Sequence, residues 1–561
     1  MNTLRHTVES FLYPHLEYFT ELVYREGEDA RFMGIPVLDD SAKFVHGALV
    51  NAAAILYAHY SRKGDTRAHA VLQRLIYFMR LATSDVCKTW GKLAILRALN
   101  TLSSVDALDA IPDDLIKVLR EKTDYSDFFD KSTMALRGMA TNYLQVAMAC
   151  AGYREKLGWE NDGTAGKIAS VLEGVLVKSD LGWMDDEIPF GRFDRYTIIL
   201  ASEFADTAKD TGIELPETVK RNLRDALDAV LFMKNKDGDG ILYGRSVACH
   251  ADAVSLEVIA SAFAAGLVDE SERKDALAYS FAALKKITSF WYDRGRRSFN
   301  IWWDGRSTND YRAEDRVLEV NLDMAAHLYT TLKNFERAGI ADEVIDPDIA
   351  LSEKWAAHEV AFKRNKEDKK SLFIIRRNGL MMQIPFVGLG EEYGRRAAYY
   401  PFPAIARVIE INPMSELAFM VPEYMDKDGN KYRPVQYFDS LELTDTDGVI
   451  TIRAGGFLSL ANGNIPSKSN IRFSSLYEIA EDTVSVRFSL ESDQLSAEMI
   501  TGKLCEDAVI TVYGFDSTNI FPSDVGRVPA INGYLSDLKR HCASSSRELE
   551  YTIKLPRRKI R

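Results

Sequence analysis

Three residues able to move a proton or hold a carboxylate recur at one interval. Asn142, Tyr196 and His250 are separated by 196 − 142 = 54 and 250 − 196 = 54 residues. Each stands at or near the start of an apolar helical segment. Tyr196 follows Gly191-Arg192-Phe193-Asp194-Arg195, and His250 follows Tyr243-Gly244-Arg245-Ser246. A third loop of the same kind, Trp302-Trp303-Asp304-Gly305-Arg306, runs on to Tyr311. The interval is the length of two helices plus their connections, so one helix pair between each member places all three on one rim. Taken alone, Asn142 reads as a helix N-cap and His250 as a structural or surface histidine. Equal spacing and a shared loop type bring them together as a candidate site.

Asn, Tyr, His and Arg on one rim suit β-elimination at a uronic acid. The C5 proton lies α to a carboxylate and is far too weakly acidic while that carboxylate stays ionised. A neutral amide and a guanidinium can bind the carboxylate and stabilise the charge that develops on it. A Tyr or His can then take the proton, and the same or a second group can protonate the departing O4. Asn142 and one of Arg192, Arg195 or Arg245 are candidates for the first role; Tyr196 and His250 are candidates for the second. Tyr143, Trp183, Tyr243, Trp303 and Tyr311 offer aromatic faces for a pyranose, with Arg306 beside them as a further sugar holder. Trp291-Tyr292 ends a helical stripe and reads as core. A competing chemistry uses carboxylates: Asp185, Asp186, Asp194, Asp252, Glu257 and Asp304 lie in or beside the three loops. An inverting glycosidase needs one acid and one base about 6.5–9.5 Å apart. A glycan-binding protein that has lost its acid/base pair is the third reading.

The elements that must position these residues are helical up to about residue 362. Leu49, Ala52, Ala53, Leu56 and Tyr57 make one apolar stripe; Leu227, Val230 and Leu231 make another, and Leu256, Ile259, Ala260 and Phe263 a third. The i, i+3, i+4 spacing predicts roughly twelve helices in hairpins, an (α/α)6-type toroid, complete or one pair short. Residues 363–371 are polar, charged and unpatterned, as a linker would be. Beyond them the pattern alternates, as in Thr483-Val484-Ser485-Val486-Arg487-Phe488, and predicts an antiparallel β-sandwich over 372–561. Tyr393, Arg395, Arg396 and Tyr399 are its candidates for walling one side of the cleft. The calcium-loop look of Asp237-Gly238-Asp239-Gly240 and Asp426-Lys427-Asp428-Gly429-Asn430 lacks the closing Glu, and turn chemistry explains both.

The bulk numbers set the remaining bounds. A 561-residue chain with 46% apolar residues is expected to form more than one domain. A net charge of −12 argues against nucleic acid as partner. It leaves room for a polyanionic sugar met by a locally basic cleft. Five scattered cysteines form no metal-ligand spacing, and no metal or cofactor is expected. No apolar run approaches a membrane span, and the N-terminus lacks a signal-peptide core. A cytoplasmic protein is expected, or a secreted one whose signal has been removed. The sequence leaves the oligomeric state open.

With Asn142, the later Arg/Tyr cluster and His250 set on a helical toroid followed by a β-sandwich, the chain resembles one group of polysaccharide lyases. These are the chondroitin, hyaluronate and alginate lyases and the heparinase II/III-like group. The resemblance covers the architecture of the whole chain. It implies a lyase acting on a uronate-containing oligo- or polysaccharide, with the toroid cleft as the site. Several such enzymes follow the Asn directly with His, whereas Tyr143 follows Asn142 here; the base stays open between Tyr196 and His250.

Overall fold

The computed structural model describes residues 2–84, 86–178, 195–242, 246–306, 313–351, 356–363, 369–377, 380–386, 400–410, 419–460, 467–491, 495–520, 528–529, 533–545 and 547–556. Among them, twelve α-helices run through the first part. They are α1 (Leu4–Glu26), α2 (Val45–Arg62), α3 (Arg67–Ser84), α4 (Thr89–Ser103), α5 (Asp113–Lys122) and α6 (Tyr143–Lys156). Then follow α7 (Thr164–Lys178), α8 (Arg195–Thr211), α9 (Glu217–Phe232), α10 (Cys249–Ala264), α11 (Glu270–Lys286) and α12 (Val317–Arg337).

The even-numbered helices close a ring. Helix α2 packs on α4, α4 on α6, α6 on α8, α8 on α10, α10 on α12, and α12 returns to α2. The odd-numbered helices pack outside it. Among the described residues the ring therefore closes on itself, with six inner and six outer helices. Burial follows the layer. In α10 every residue from Cys249 to Phe263 is buried, whereas α5 buries only Leu115 and Leu119 on one face. Where α2 crosses α4 the backbones nearly touch: a Cβ on Gly47 would lie 2.1 Å from the Gly91 carbonyl oxygen. Glycine at 47 and 91 is what lets the ring draw tight there.

Among the described residues, the strands that follow form two antiparallel sheets. A four-stranded sheet has the order Ala404–Ile405, Leu380–Phe386, Lys369–Arg377, Ala356–Lys363. The second sheet has eleven strands, with Lys431–Thr446, Val449–Leu460 and Ser467–Ile479 as long central members. The sheets meet face to face through Phe386, whose ring stands edge-on to Phe438 and Tyr477 at 5.1 and 5.4 Å. The change from helix to strand comes earlier than the sequence pattern predicts. The last helix ends at Arg337, and Ala356–Lys363 pairs in register with Lys369–Arg377. The polar run expected as a linker thus joins two partners of one hairpin, and 364–368 lie outside the described residues. Its charge masks a strand that alternates only weakly.

The four-stranded sheet docks on the toroid at the connection between α9 and α10. Gln383 accepts from the Leu242 backbone N–H at 3.0 Å and donates to the Gly240 carbonyl at 3.1 Å. The His358 ring stacks on Phe232 at 5.2 Å. No described helix is long and apolar enough to cross a membrane. Cys87, Cys150, Cys249, Cys505 and Cys542 are all free thiols.

Candidate active site in the toroid axis

Inside the ring lies a cavity of about 450 Å³. Its walls are the inward stripes of the inner helices, and helical spacing sets their depth. Helix α8 contributes Tyr196, Ile199 and Glu203; α4 contributes Trp90, Ala94 and Arg97. Helix α2 gives Ala48 and Asn51 below Phe44, and α6 gives Tyr143 beside Asn142. Along α12 the stripe runs Glu319, Asp323, His327, with Arg316 just before the helix. The first residues of α4, α6 and α8 and those just before α2 and α12 therefore rim the mouth. The N-terminal ends of these helices point there and favour negative charge at it.

The mouth combines aromatic faces, an amide and two guanidiniums. Trp90 and Tyr143 have ring centroids 6.5 Å apart. Asn142 precedes α6 with helical dihedrals (φ −59°, ψ −22°), and its side chain makes no capping hydrogen bond. It is 4% exposed, and its Oδ1 is buried with no partner among the described residues. The N-cap expectation is thereby corrected: a residue already helical at its own φ and ψ turns its side chain away from the first-turn amides. Arg195 is 5% exposed, lies 4.7 Å over the Tyr196 ring, and places Nη2 3.3 Å from the Tyr196 Oη. Its Nη1 donates to the His250 carbonyl at 3.4 Å. Tyr196 Oη also lies 3.4 Å from Ser246 Oγ. Across the mouth, Arg316 donates to Glu319 at 2.9 Å.

The floor is a cluster of opposite charges. His327 Nδ1 meets Glu257 Oε1 at 2.6 Å, and its Nε2 lies 3.6 Å from Asp323 Oδ2. Burial opposes the imidazolium, but Glu257 and Asp323 outweigh it and push His327 up to about 10. Burial also pushes Glu203 up to about 7, with Arg97 opposing and Glu257 reinforcing the shift. Arg97 faces Glu203, Asp206 and Glu257, which hold it charged despite burial. Below this cluster a void of about 30 Å³ remains. The axis is then closed by Lys333 and Arg337, paired with Asp206 and Asp210.

Of the residues singled out by spacing, Asn142, Tyr143, Arg195 and Tyr196 line this one cavity. His250 does not: it is fully buried behind the wall, with Nε2 3.6 Å from Asp323 Oδ2 and Nδ1 3.5 Å from Cys249 Sγ. Trp303 and Arg306 also stand apart from it. Arg296 covers Trp303 at 5.4 Å, and Arg306 lies 4.2 Å over Phe290 while donating to the Phe290 carbonyl. Among the carboxylates, Asp252 is bound to Lys286 and the Trp291 indole N–H, and Asp304 to Arg296. Glu257 borders the void under the floor. Trp183, Asp185, Asp186, Arg192, Asp194, Tyr243, Arg245, Tyr311, Tyr393, Arg395, Arg396 and Tyr399 lie outside the described residues. Sequence spacing does not single out Asn51, Trp90, Arg97, Glu203, Arg316, Glu319, Asp323 or His327. A signal is present in Glu319-x₃-Asp323-x₃-His327, a run of titratable residues at helical spacing along α12. Among the described residues no group of three or more His, Cys, Asp or Glu side chains is arranged to hold a metal ion.

No protein-family model matches the chain, and no curated protein matches it. Solved structures do. A mutant of chondroitin AC lyase from Streptomyces coelicolor is 11% identical over 98% of this chain and 82% of its own, with a TM-score of 0.47. The unsaturated glucuronyl hydrolase of a Bacillus species, responsible for degradation of glycosaminoglycan, is 12% identical over 60% of this chain and 97% of its own, with a TM-score of 0.39. A heparan sulfate lyase from Pedobacter heparinus is 9% identical over 93% of this chain and 91% of its own, with a TM-score of 0.26. Likenesses this distant carry no argument about the chemistry of this chain.

Proposed function

We propose that this chain is a lyase that cleaves a uronate-containing oligo- or polysaccharide by β-elimination at the mouth of the axial cavity. One observation carries the reading. Asn142, Arg195 and Tyr196 all line that cavity, and the Asn142 amide has a buried oxygen with no hydrogen-bond partner among the described residues. An amide so placed can donate through Nδ2 to one carboxylate oxygen and accept at Oδ1 from a sugar hydroxyl or a protonated carboxyl. With Arg195 and the helix N-termini it neutralises the carboxylate, so that charge moving onto it from C5 is stabilised. Tyr196 Oη takes the C5 proton; the C–H electron pair becomes the C4–C5 double bond, the C4–O4 bond breaks, and the proton returns to O4. In this scheme His250 is a positioning residue, holding Arg195 through its backbone carbonyl.

The floor favours a second reading, an inverting hydrolase. There Glu203, pushed up to about 7, is the acid, and Asp323 beside two imidazoles is the base. Incubation with a panel of uronate oligosaccharides separates the two. Elimination gives a product with the near-ultraviolet absorbance of a 4,5-unsaturated uronate. Shortened chains without that chromophore sink the lyase reading in favour of hydrolysis.

A further inference from the structure

We infer that the cavity swallows one end of its glycan, holding an uncharged, hydroxyl-rich terminal sugar on the floor while the uronate sits at the mouth. This rests on the glycan reading proposed above. It makes the enzyme act from a chain end rather than within a chain.

Three features of the axis lead there. The first is depth. Glu203 lies seven positions beyond Tyr196, and Arg97 seven beyond Trp90, so each stripe descends about 10 Å at ~1.5 Å per residue. That is room for a sugar unit below the one whose bond is cleaved. The second is closure. The void under the floor, about 30 Å³, holds about one water, and the ion pairs of Lys333 and Arg337 with Asp206 and Asp210 seal the axis beneath it. A chain entering the cavity cannot continue out through the toroid. The third is the chemistry of the floor. Glu203 Oε2 and Arg97 Nε are buried without hydrogen-bond partners among the described residues. Buried groups of both kinds, an acceptor and a donor, left unpaired call for a ligand that supplies both, as sugar hydroxyls do.

Charge then orders the substrate along the axis. Arg195 and five helix N-termini favour an acidic group at the mouth. At the floor Arg97 and His327 face Glu203, Glu257 and Asp323, so the described residues offer no cationic excess to receive a second carboxylate or a sulfate. The acidic sugar is held at the mouth and a neutral one below it.

Calorimetric binding to the full chain tests this with one uronate-containing tetrasaccharide in three forms: unmodified, or carrying a bulky fluorophore at its reducing or its non-reducing end. One tagged form should bind about tenfold more weakly or worse, because floor groups are left unpaired, and the other should bind like the unmodified sugar. Arg97→Met, or Glu203→Gln if the first fails to fold, should weaken the unmodified sugar and leave the excluded tagged form unchanged. Tags that weaken binding equally, or not at all, overturn the inference and leave the lyase reading standing. Absence of binding by all three forms overturns both.

Discussion

Replacing Asn142 by Ala separates a working amide from a structural one. An N-cap Asn typically contributes about 1 kcal/mol through its bond to a first-turn N–H. Asn142 makes no such bond, and its Oδ1 is buried without a partner among the described residues. Leaving a buried acceptor unsatisfied costs about 1–3 kcal/mol. Ala removes that cost and loses only the packing of a side chain that borders an open cavity. The folded state of Asn142→Ala should therefore match the wild type or exceed it by up to about 1 kcal/mol. Turnover should move the other way. Loss of one donor aimed at developing charge lowers kcat/KM by about 10²–10³-fold, or about 2.7–4 kcal/mol. Urea unfolding of the two proteins and the rate of near-ultraviolet chromophore formation give the two halves. Asn142→Asp keeps the shape but sets an anion against the substrate carboxylate, and should be no more active than Ala. A loss of about 1 kcal/mol or more of stability, with activity falling only in step with the folded fraction, would refute the reasoning and return Asn142 to the role of a cap.

Three further outcomes follow from the same geometry. Tyr196→Phe removes the oxygen that lies 3.3 Å from Arg195 Nη2 and 3.4 Å from Ser246 Oγ; kcat should fall about 10²–10⁴-fold while substrate binding is largely kept, and near-normal turnover would remove Tyr196 from the proton transfer. His327→Gln strips Glu257 and Asp323 of their buried counter-charge, so stability at pH 7 should drop by about 3–5 kcal/mol. Because the folded pKa of His327, about 10, exceeds its unfolded value of 6.5, its contribution is full below pH 6.5 and is lost as pH rises through 10; a deficit that stays constant from about pH 6 to pH 10.5 would contradict this. Glu203, at about 7 against 4.5 unfolded, contributes stability below pH 4.5 that is lost as pH rises through 7. Relative to wild type, Glu203→Gln should gain stability between about pH 4.5 and pH 8 in urea titrations; a pH-independent difference would show that Glu203 ionises as freely in the folded chain as in the unfolded one.

The helices were legible because twelve apolar stripes keep helical spacing, and the sheets because alternation replaces it in segments such as Val484-Val486-Phe488. Half of the mouth was legible for a related reason: a 54-residue interval returns the chain to the same end of the next inner helix, and so found Asn142 and Tyr196. It could not fix the azimuth. One residue turns a helix by about 100°, and His250, the second residue of α10, faces into the wall rather than the cavity. The floor was hidden by a habit of reading that is sound for ordinary domains, in which a polar stripe on a helix marks solvent. In a closed ring the inner helices turn their polar side to the axis instead. Arg97, Glu203, Asp323 and His327 sit on it with apolar neighbours such as Leu96, Leu200 and Met324 in the packed layer around them. Trp303 and Arg306 shared the composition of a rim loop without its position in the ring.

The polarity of the axis also bears on which chemistry the site runs. Elimination needs its charge stabilisers next to a carboxylate, and those groups (Asn142, Arg195 and the helix N-termini) are gathered at the mouth. Hydrolysis by two carboxyls needs one of them to keep a proton near neutrality, and Glu203 does so about 10 Å deeper, where a helix end no longer helps an anion. The two reactions would therefore occur on different bonds of the same glycan, at different depths. A substitution at one level leaves the other level's machinery intact. If the mouth is the reaction centre, Asn142→Ala lowers kcat while Glu203→Gln acts chiefly on KM, because a floor group then holds a sugar and moves no proton. If the floor is the centre, the two effects exchange places. The split between kcat and KM across this pair of variants thus assigns the reaction to a level of the axis, whichever sugar the cavity takes.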